Sequence, residues 1–565
     1  MATPAEILAK IEAKADEEGR SSNSETQRIL AVPYLNKQGP DLTDKLRLPG
    51  SKYQLFPIQS HALWTAAASR GLLGLIGVGK GKTLICQLLP TVLRAKRPLL
   101  LLPPAMVEQY NEMLDEFGDH FWVARHTKVV TYSKLSAPKS THLLDQYKPD
   151  LIICDEAHNL RHLTSSRTKR IMRYAKQNPD TIFCFLSGTL TTKSIKDYAH
   201  LAYLALKDRS PLPDDFFLLE SWAACLDSNG QPTGQDWARV RPFFSKLAPK
   251  KKLDRANLRR VFKYRLVTTP GVVATKDDEV KSSLLIVRRE SIQTPEDVLQ
   301  RMEKFQKTWT TPSGEEINDP MRFATVMRQL VQGFYYRWEW GPQGPDEEWL
   351  EARKNWNKEC RSFLERNQAG MDSPMLVAAA ILAGKIQRPS LVRAYAAWHK
   401  VKDRPEPPTV AVWFSNYLVK DAVLWLRSQK EPSVLWYESQ AMERLLAKAG
   451  VPTYGAGTEI PKDEDKIACS IRVHGVGKNM QKWSNQLVIS PPSNGAAWEQ
   501  LLGRMHRTGQ TADEVHCYVN QHVEVYKGAL AAAQRDAKYI QSTQGTPQKL
   551  VYASYARMGA RSWSK

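Results

Sequence analysis

At 565 residues, 42% of them hydrophobic and 25% charged, the chain exceeds the roughly 250–300 residues at which a single hydrophobic core stops growing, so two or three domains are expected. Lysine and arginine number 80 against 59 acidic residues, a net charge of +21, which favours a polyanionic partner over a neutral one; a generically basic protein without such a partner is the plain alternative. There is no stretch of roughly 18 or more apolar residues and no hydrophobic leader segment, which argues against membrane spanning and secretion. The seven cysteines include no CxxC pair, so neither a zinc site nor a disulfide framework is expected, and a reducing, intracellular compartment fits best.

In chain order, Ala5 to Ala15 alternates apolar and charged positions at helical spacing, and Glu17 to Gln27 turns polar and serine-rich. Residues 1–49 are therefore expected to be a short helix and loop. From about Ser51, brief apolar runs alternate with helical stretches: Leu72 to Ile76, Leu99 to Leu102, Lys128 to Thr131, Leu151 to Cys154 and Thr181 to Leu186. Such a pattern implies a parallel sheet covered on both faces, with ligand-binding loops at the strand C-terminal ends. This first α/β domain is expected over 50–210. Periodicity weakens over 211–404, which is basic from Lys246 to Arg265 and tryptophan-rich from Trp309 to Trp356. A second α/β domain is expected over 405–525, with strands at Val410 to Phe414, Val434 to Tyr437, Lys466 to Val473, Gln486 to Ile489 and His516 to Val519, and a tail over 526–565.

Three segments carry chemistry. Ile76-Gly77-Val78-Gly79-Lys80-Gly81-Lys82-Thr83 follows the first strand, and its small residues, Gly79 and Gly81 among them, let backbone N–H groups close round phosphate oxygens at a helix start. Lys82 would reach the β- and γ-phosphates and Thr83 would ligate magnesium, although the GxxxxGK[ST] pattern begins with glycine where this chain has Ile76. Asp155-Glu156-Ala157-His158 ends another strand; Asp155 would hold magnesium and Glu156 would orient and polarise a water, the structural alternative being that they cap the next helix. Near the C-terminal end, Gln500-Leu501-Leu502-Gly503-Arg504-Met505-His506-Arg507-Thr508-Gly509-Gln510 sets Arg504 and Arg507 three residues apart. On one helical face both would meet the γ-phosphate; the alternative is a solvated charge pair.

Together these segments resemble superfamily 2 helicases, and the last is most like the Swi/Snf-like group of double-stranded DNA translocases. Leu55-Phe56-Pro57-Ile58-Gln59 is similar to the family's Q motif, Leu100-Leu101-Leu102-Pro103 with Gln109-Tyr110 to motif Ia, and Val129-Val130-Thr131-Tyr132 to motif Ib. Ser187-Gly188-Thr189 resembles motif III, Val410 to Ser415 motif IV, and Gly475-Val476-Gly477-Lys478-Asn479-Met480 motif V. Lys80 within the loop, Leu190 where the family commonly has proline, and Lys478 and Met480 in motif V depart from the usual pattern, as in a divergent, bacterial or viral member.

The resemblance implies two RecA-like lobes, parallel sheets covered by helices, with mainly helical insertions between them. It further implies adenine recognition by Gln59, coupling through His158, Ser187, Thr189 and Gln500, and nucleic-acid contacts at Thr131, Tyr132, Gly475, Lys478, Asn479 and the basic stretch Arg161 to Arg170. Ser187 and Thr189 would equally suit a helix N-cap. The cluster Lys250-Lys251-Lys252 with Arg255, Arg259 and Arg260 is a second candidate track or a charged linker, and the tryptophans from Trp309 to Trp356 suit core packing more than base stacking. The expected activity is an ATP- and Mg2+-dependent motor that closes two lobes on the nucleotide and moves along duplex DNA with low sequence specificity. A strand-separating DNA or RNA helicase, and a nucleic-acid-binding scaffold with a decayed ATPase, are the alternatives. A cytoplasmic location, in a bacterium or an infected host cell, goes with this reading.

Overall fold

The computed structural model describes residues 24–35, 38–275, 280, 282–314, 317, 320–342, 344–366, 374–461, 463–475 and 479–558; the helix expected over Ala5–Ala15 lies outside them. The chain divides into two compact units. One is drawn from Met1–Glu279, Asn494–Glu499 and Ala533–Tyr552, the other from Val280–Ser493, Gln500–Ala532 and Ala553–Lys565. Each is an α/β unit built on a large parallel sheet with helices packed against it.

The first sheet comprises β1 (Leu72–Leu75), β2 (Pro98–Leu102), β3 (Lys128–Thr131), β4 (Leu151–Asp155), β5 (Ile182–Ser187) and β6 (Val272–Ala274), in the order β3-β2-β4-β5-β1-β6. Every pairing is parallel. The two-residue period of the strands divides their side chains between two cores. Leu99, Leu101, Ile152, Cys154, Phe183 and Phe185 enter one, against the helices Ser166–Gln177 and Lys196–Leu206. Leu100, Leu102, Ile153, Cys184 and Leu186 enter the other, against the helices Pro57–Ser69 and Lys82–Leu93. Burial from both sides is why these strands read as unbroken apolar runs. The strand β6 comes from beyond residue 210 and sets Val272 opposite Leu73.

The polar stretch Glu17–Gln27, expected to be a loop, is helical where described, in a helix over 24–31. Docking overrides composition here. Ile29 is fully buried in the first core, and Arg28 pairs with Glu25 at 2.6 Å while donating to the carbonyls of Asp208, Ser210 and Leu212.

The second unit contains β7 (Ser283–Arg289), β8 (Phe334–Trp338), β9 (Thr409–Trp413), β10 (Ser433–Tyr437), β11 (Thr453–Tyr454), β12 (Lys466–Ser470), β13 (Asn485–Val488), β14 (Glu514–Asn520) and β15 (Ser554–Met558). Seven of these form a parallel sheet in the order β11-β12-β10-β13-β14-β7-β15. The expectation that Val410 to Phe414 belongs to this sheet is corrected. The strand β9 pairs antiparallel with β8 in a separate two-stranded sheet, held by the Phe334 ring 4.7 Å from that of Trp413, an aromatic cross-strand pair of the kind that fixes register. Gly333, at φ 91°, turns the chain so that its carbonyl accepts from both Phe414 and Ser415.

The region 211–404 is mainly helical, with β6, β7 and β8 set among its helices. Core packing, expected of its tryptophans, holds for Trp349 and Trp356, 3% and 5% exposed, whereas Trp338 and Trp340 are half-buried and Trp309 is 38% exposed. All seven cysteines are free and buried, and among the described residues no helix is long and apolar enough to cross a membrane.

An ion pair between the buried Arg289 and the half-buried Asp421 pins the helix Tyr417–Ser428 to the second sheet. Arg289, at the end of β7, donates to both Asp421 carboxylate oxygens at 2.8 and 2.9 Å and to Asn520 Oδ1 at 2.8 Å. Removing one partner leaves a buried charge uncompensated, so Asp421→Ala is expected to destabilise the second unit by about 3–5 kcal/mol. Urea titration would show this as a fall in the unfolding midpoint.

Candidate functional site

At the C-terminal end of β1 the chain forms a glycine-rich loop and re-enters structure as the helix Lys82–Leu93. Gly79 and Gly81 hold φ 83° and 70°, left-handed values that favour glycine, and a Cβ on Gly81 would collide with the Gln59 side chain. The helix start carries no side-chain cap and no acidic residue in its first turn, so its first N–H groups and the positive end of its dipole are directed at the loop. From behind, Thr275 Oγ1 accepts from Gly77 N at 3.0 Å, and Gly188 lies so near that a Cβ on it would sit 3.5 Å from Gly77 Cα.

Two strands away, β4 delivers Asp155 and Glu156, 3% and 5% exposed. Glu156 takes a left-handed φ of 51°, unusual for a residue with a side chain and of the kind that gathers at functional sites. Its carboxylate is shared: Oε1 is 3.7 Å from Lys82 Nζ, while Oε2 is 3.2 Å from His158 Nδ1 and accepts from Ser187 Oγ at 3.4 Å. His158 Nδ1 and Ser187 Oγ are themselves 3.2 Å apart. Lys82 Nζ donates to the carbonyls of Ile76 and Gly77 at 3.3 and 3.4 Å. Thus Lys82, Asp155, Glu156, His158 and Ser187 gather at the C-terminal end of three central strands of one sheet. Capping does not account for the acids. Asp155 Oδ1 accepts the N–H of Glu156 at 2.9 Å, and the short turn Ala157–Leu160 has no side-chain cap. Ser187 does not cap a helix either; its hydroxyl oxygen accepts from Thr189 N at 3.2 Å and lies 3.1 Å from Thr189 O, a second place for the one proton that otherwise goes to Glu156.

The other first-unit residues take less direct places. Gln59 is 3% exposed, its Oε1 accepting from Phe56 N at 2.8 Å and its Nε2 donating to Gly81 O at 3.2 Å; it braces the glycine-rich loop. Tyr132 is 2% exposed and donates to Asp155 O at 2.8 Å, so it supports the acidic strand end and offers no face to nucleic acid. Thr131 caps the helix Tyr132–Ser136 by accepting from Lys134 N at 3.1 Å. Of the basic stretch, Arg170 is fully buried and holds the carbonyls of Leu135 and Ala137, both at 2.6 Å. Arg255 and Arg259 donate to Cys225 O and Leu226 O at 3.1 and 2.6 Å, carbonyls in the last turn of the helix Phe216–Leu226 that lack intrahelical partners. Lys250, Lys251, Lys252 and Arg260 are exposed.

In the second unit the shared helical face of the two arginines is corrected. The helix Gly495–Met505 ends before Arg507, because Gly509 turns at φ 93° and Gln510 Nε2 takes the carbonyls of Met505 and Trp483 at 3.1 and 3.2 Å. Arg504 is 5% exposed and donates through Nε to Gly475 O at 3.0 Å and Gln500 O at 3.2 Å. Arg507 Nη1 is held by Asn479 Oδ1, while its buried Nε has no hydrogen-bond partner among the described residues and burial pulls its pKa down. Lys478 lies outside the described residues. His506, which sequence reasoning passed over, is 2% exposed and bonds Ser282 O at 2.8 Å.

Two further features carry no sequence signal. A cavity of about 460 Å³ lies at the ends of β10 and β12, lined by Arg328, Gln332, Tyr336, Glu438, Ser439 and Arg472 among others. Arg328 bonds Glu438 at 2.6 Å and Ser490 at 3.1 Å, bridging the loops after two adjacent strands. The other is the Gln544–Lys549 segment, which packs in the first unit beside the loop after β5.

Among the described residues no group of three or more His, Cys, Asp or Glu could hold a metal ion. A magnesium ion that keeps its waters and takes ligands from phosphates needs only one or two protein oxygens, and Asp155 with Thr83 could provide them beside a cradle of glycines and helix N–H groups. Burial first, then repulsion from Glu156, pushes the Asp155 carboxyl up from 3.8 to about 6. A carboxyl raised on folding lends stability in its protonated form, present below pH about 4 and lost as pH rises through about 6. Asp155→Asn is therefore expected to raise the thermal midpoint at pH 7.5, with a gain that shrinks as pH falls towards 5; a midpoint lowered at pH 7.5 would contradict this placement. Comparison with protein-family models and with curated proteins finds no match for this chain.

Proposed function

We propose that the protein is a nucleic-acid-dependent ATPase, a motor that moves along or remodels duplex DNA, its two units acting as RecA-like lobes. The observation that carries the reading is the convergence on Glu156 of Lys82 from the glycine-rich loop, His158 from its own strand end and Ser187 from the end of β5. In this reading the loop N–H groups and Lys82 bind the β- and γ-phosphates, and Asp155 with Thr83 holds magnesium, which supplies charge neutralisation. Glu156 orients and polarises the attacking water. His158 and Ser187 fix the Glu156 carboxylate and report its occupancy to the loop that follows β5.

Arg507 is assigned to the γ-phosphate because its guanidinium is anchored at one end by Asn479 and keeps a buried N–H unpaired, an arrangement suited to an anion. Arg504, engaged by Gly475 O and Gln500 O, would orient this segment. Duplex DNA is the favoured track on the net charge of +21 and on the sequence resemblance, held through phosphates with little base discrimination.

Glu156→Gln is expected to keep nucleotide affinity and lose hydrolysis, and Arg507→Ala to lower turnover by about a thousandfold with binding largely intact. Steady-state hydrolysis with duplex DNA, single-stranded DNA and RNA, alongside triplex displacement and unwinding assays, separates the readings. Duplex stimulation with triplex displacement and no unwinding supports the translocase. Unwinding with a single-strand preference supports a helicase, and DNA binding without stimulated hydrolysis supports a scaffold. Near wild-type turnover in the Arg507 variant would remove that arginine from the site.

A further inference from the structure

The loop after β5 contains a departure matched elsewhere in the chain. Leu190 stands where sequences resembling motif III commonly carry proline, and proline has no N–H. Here the N–H exists, Leu190 is fully buried, and a buried donor without a partner is costly. Its partner comes from far along the chain: Leu190 N donates to Gln544 Oε1 at 3.2 Å, and Gln544 Nε2 donates to Thr191 O at 3.1 Å. One carboxamide thus satisfies two backbone groups just beyond Ser187 and Thr189. The Thr191 hydroxyl is committed to the start of the next helix, bonding Asp197 Oδ2 at 2.5 Å, so it is the Gln544 carboxamide that meets these two backbone groups.

Gln544 closes the long helix Glu524–Thr543, and Gly545 at φ 84° turns the chain immediately after it. Thr546, 2% exposed, then packs beside Gly77, with its Cγ2 4.0 Å from where a Gly77 Cβ would lie. Further on, Lys549 N donates to Glu499 Oε2 at 2.6 Å, and Lys549 Nζ lies 3.9 Å from Glu499 Oε1; both side chains are buried. Glu499 sits in the helix Gly495–Met505, which continues to Gln500 and Arg504. Within the first unit, six residues therefore tie the loop after β5, the back of the glycine-rich loop and Glu499.

We propose that Gln544 is a positioning residue of the ATPase site, setting the Ser187–Thr191 loop through Leu190 and Thr191, with Lys549 on Glu499 as the second anchor of the same strap. The assignment rests on the ATPase reading above. Gln544 touches neither nucleotide nor water in this role; it acts through Ser187 on the Glu156 carboxylate, and so on turnover rather than on nucleotide affinity.

The test uses the full chain, a fluorescent ATP analogue for affinity, and steady-state hydrolysis with and without linear duplex DNA. Gln544→Ala is expected to keep nucleotide affinity within about threefold and to lower kcat by about tenfold, with a larger loss in the DNA-stimulated rate. Leu190→Pro removes the donor that Gln544 satisfies, so adding Gln544→Ala to it should cost clearly less than in the wild-type chain. Amide exchange at Leu190 should change on adding the analogue in the wild type and not in Gln544→Ala. Turnover within about twofold of wild type, a kcat loss matched by loss of folded protein, or effects of the two substitutions that multiply independently would each overturn the proposal while leaving the ATPase reading intact. A wild-type chain that hydrolyses no ATP overturns both.

Discussion

The arrangement in the first unit depends on where the Glu156 carboxylate is held. A parallel sheet ends its strands in a common row of loops, so residues far apart in sequence reach one another there. Lys82 arrives from the loop after β1, Glu156 and His158 from the end of β4, and Ser187 from the end of β5, all within 3.2 to 3.7 Å of one carboxylate or its partner. Glu156 can point back into this cluster only because its backbone takes a left-handed turn. Such a conformation persists when the surroundings over-determine it. Here they do so through Asn159, whose Nδ2 donates to Glu156 O at 2.9 Å, and through Tyr132, which fixes the preceding carbonyl.

Basic residues separate into those the fold uses and those it leaves available. The excess of positive charge in the sequence says nothing about which is which, because charge is counted without regard to burial. Arg170, Arg255, Arg259 and Arg265 are tied to backbone carbonyls, two of them at the end of one helix. Arg289 is locked to a carboxylate. These guanidinium groups close helix ends and loops that would otherwise bury unpaired carbonyls. Lys250 to Lys252 and Arg260, by contrast, stay exposed and contribute their charge to the surface field.

The strand pattern was legible where burial was two-sided. Leu99 to Leu102, Leu151 to Cys154 and Thr181 to Leu186 are runs of apolar residues because both faces of their sheet are covered. The chemistry-bearing loops were legible because glycines, carboxylates and lysine sit at strand ends in a recognisable order. What the sequence hid was partnership over long separations. The strands β6, three residues long, and β7, seven, lie in a weakly periodic region, and their place in the sheets is set by pairing with β1 and β14. The strand β9 has the composition of a core strand yet pairs with β8 outside the large sheet, since local residues cannot specify which neighbour accepts them. Tyr132 was legible as part of a strand-end segment, but not that its ring would be buried beneath Asp155, and Arg507 was legible as an arginine but not as one beyond the helix end.

The same limit explains why a departure from a motif is hard to weigh by itself. Leu190 in place of proline looks like mere divergence when the segment is taken alone. Once Gln544 is found on its N–H, the substitution and its partner form one unit, separated by 354 positions in the chain. A proline at 190 would make the Gln544 acceptor redundant, and a leucine without Gln544 would bury a donor unpaired. The departure at Ile76 admits a parallel account. Its side chain is fully buried in the core with Leu72, Leu84 and Leu186, while the positions that need left-handed backbone, Gly79 and Gly81, remain glycine. What the loop requires at its first position is therefore a residue that closes the core beneath it, and the conformational freedom is kept where the backbone turns.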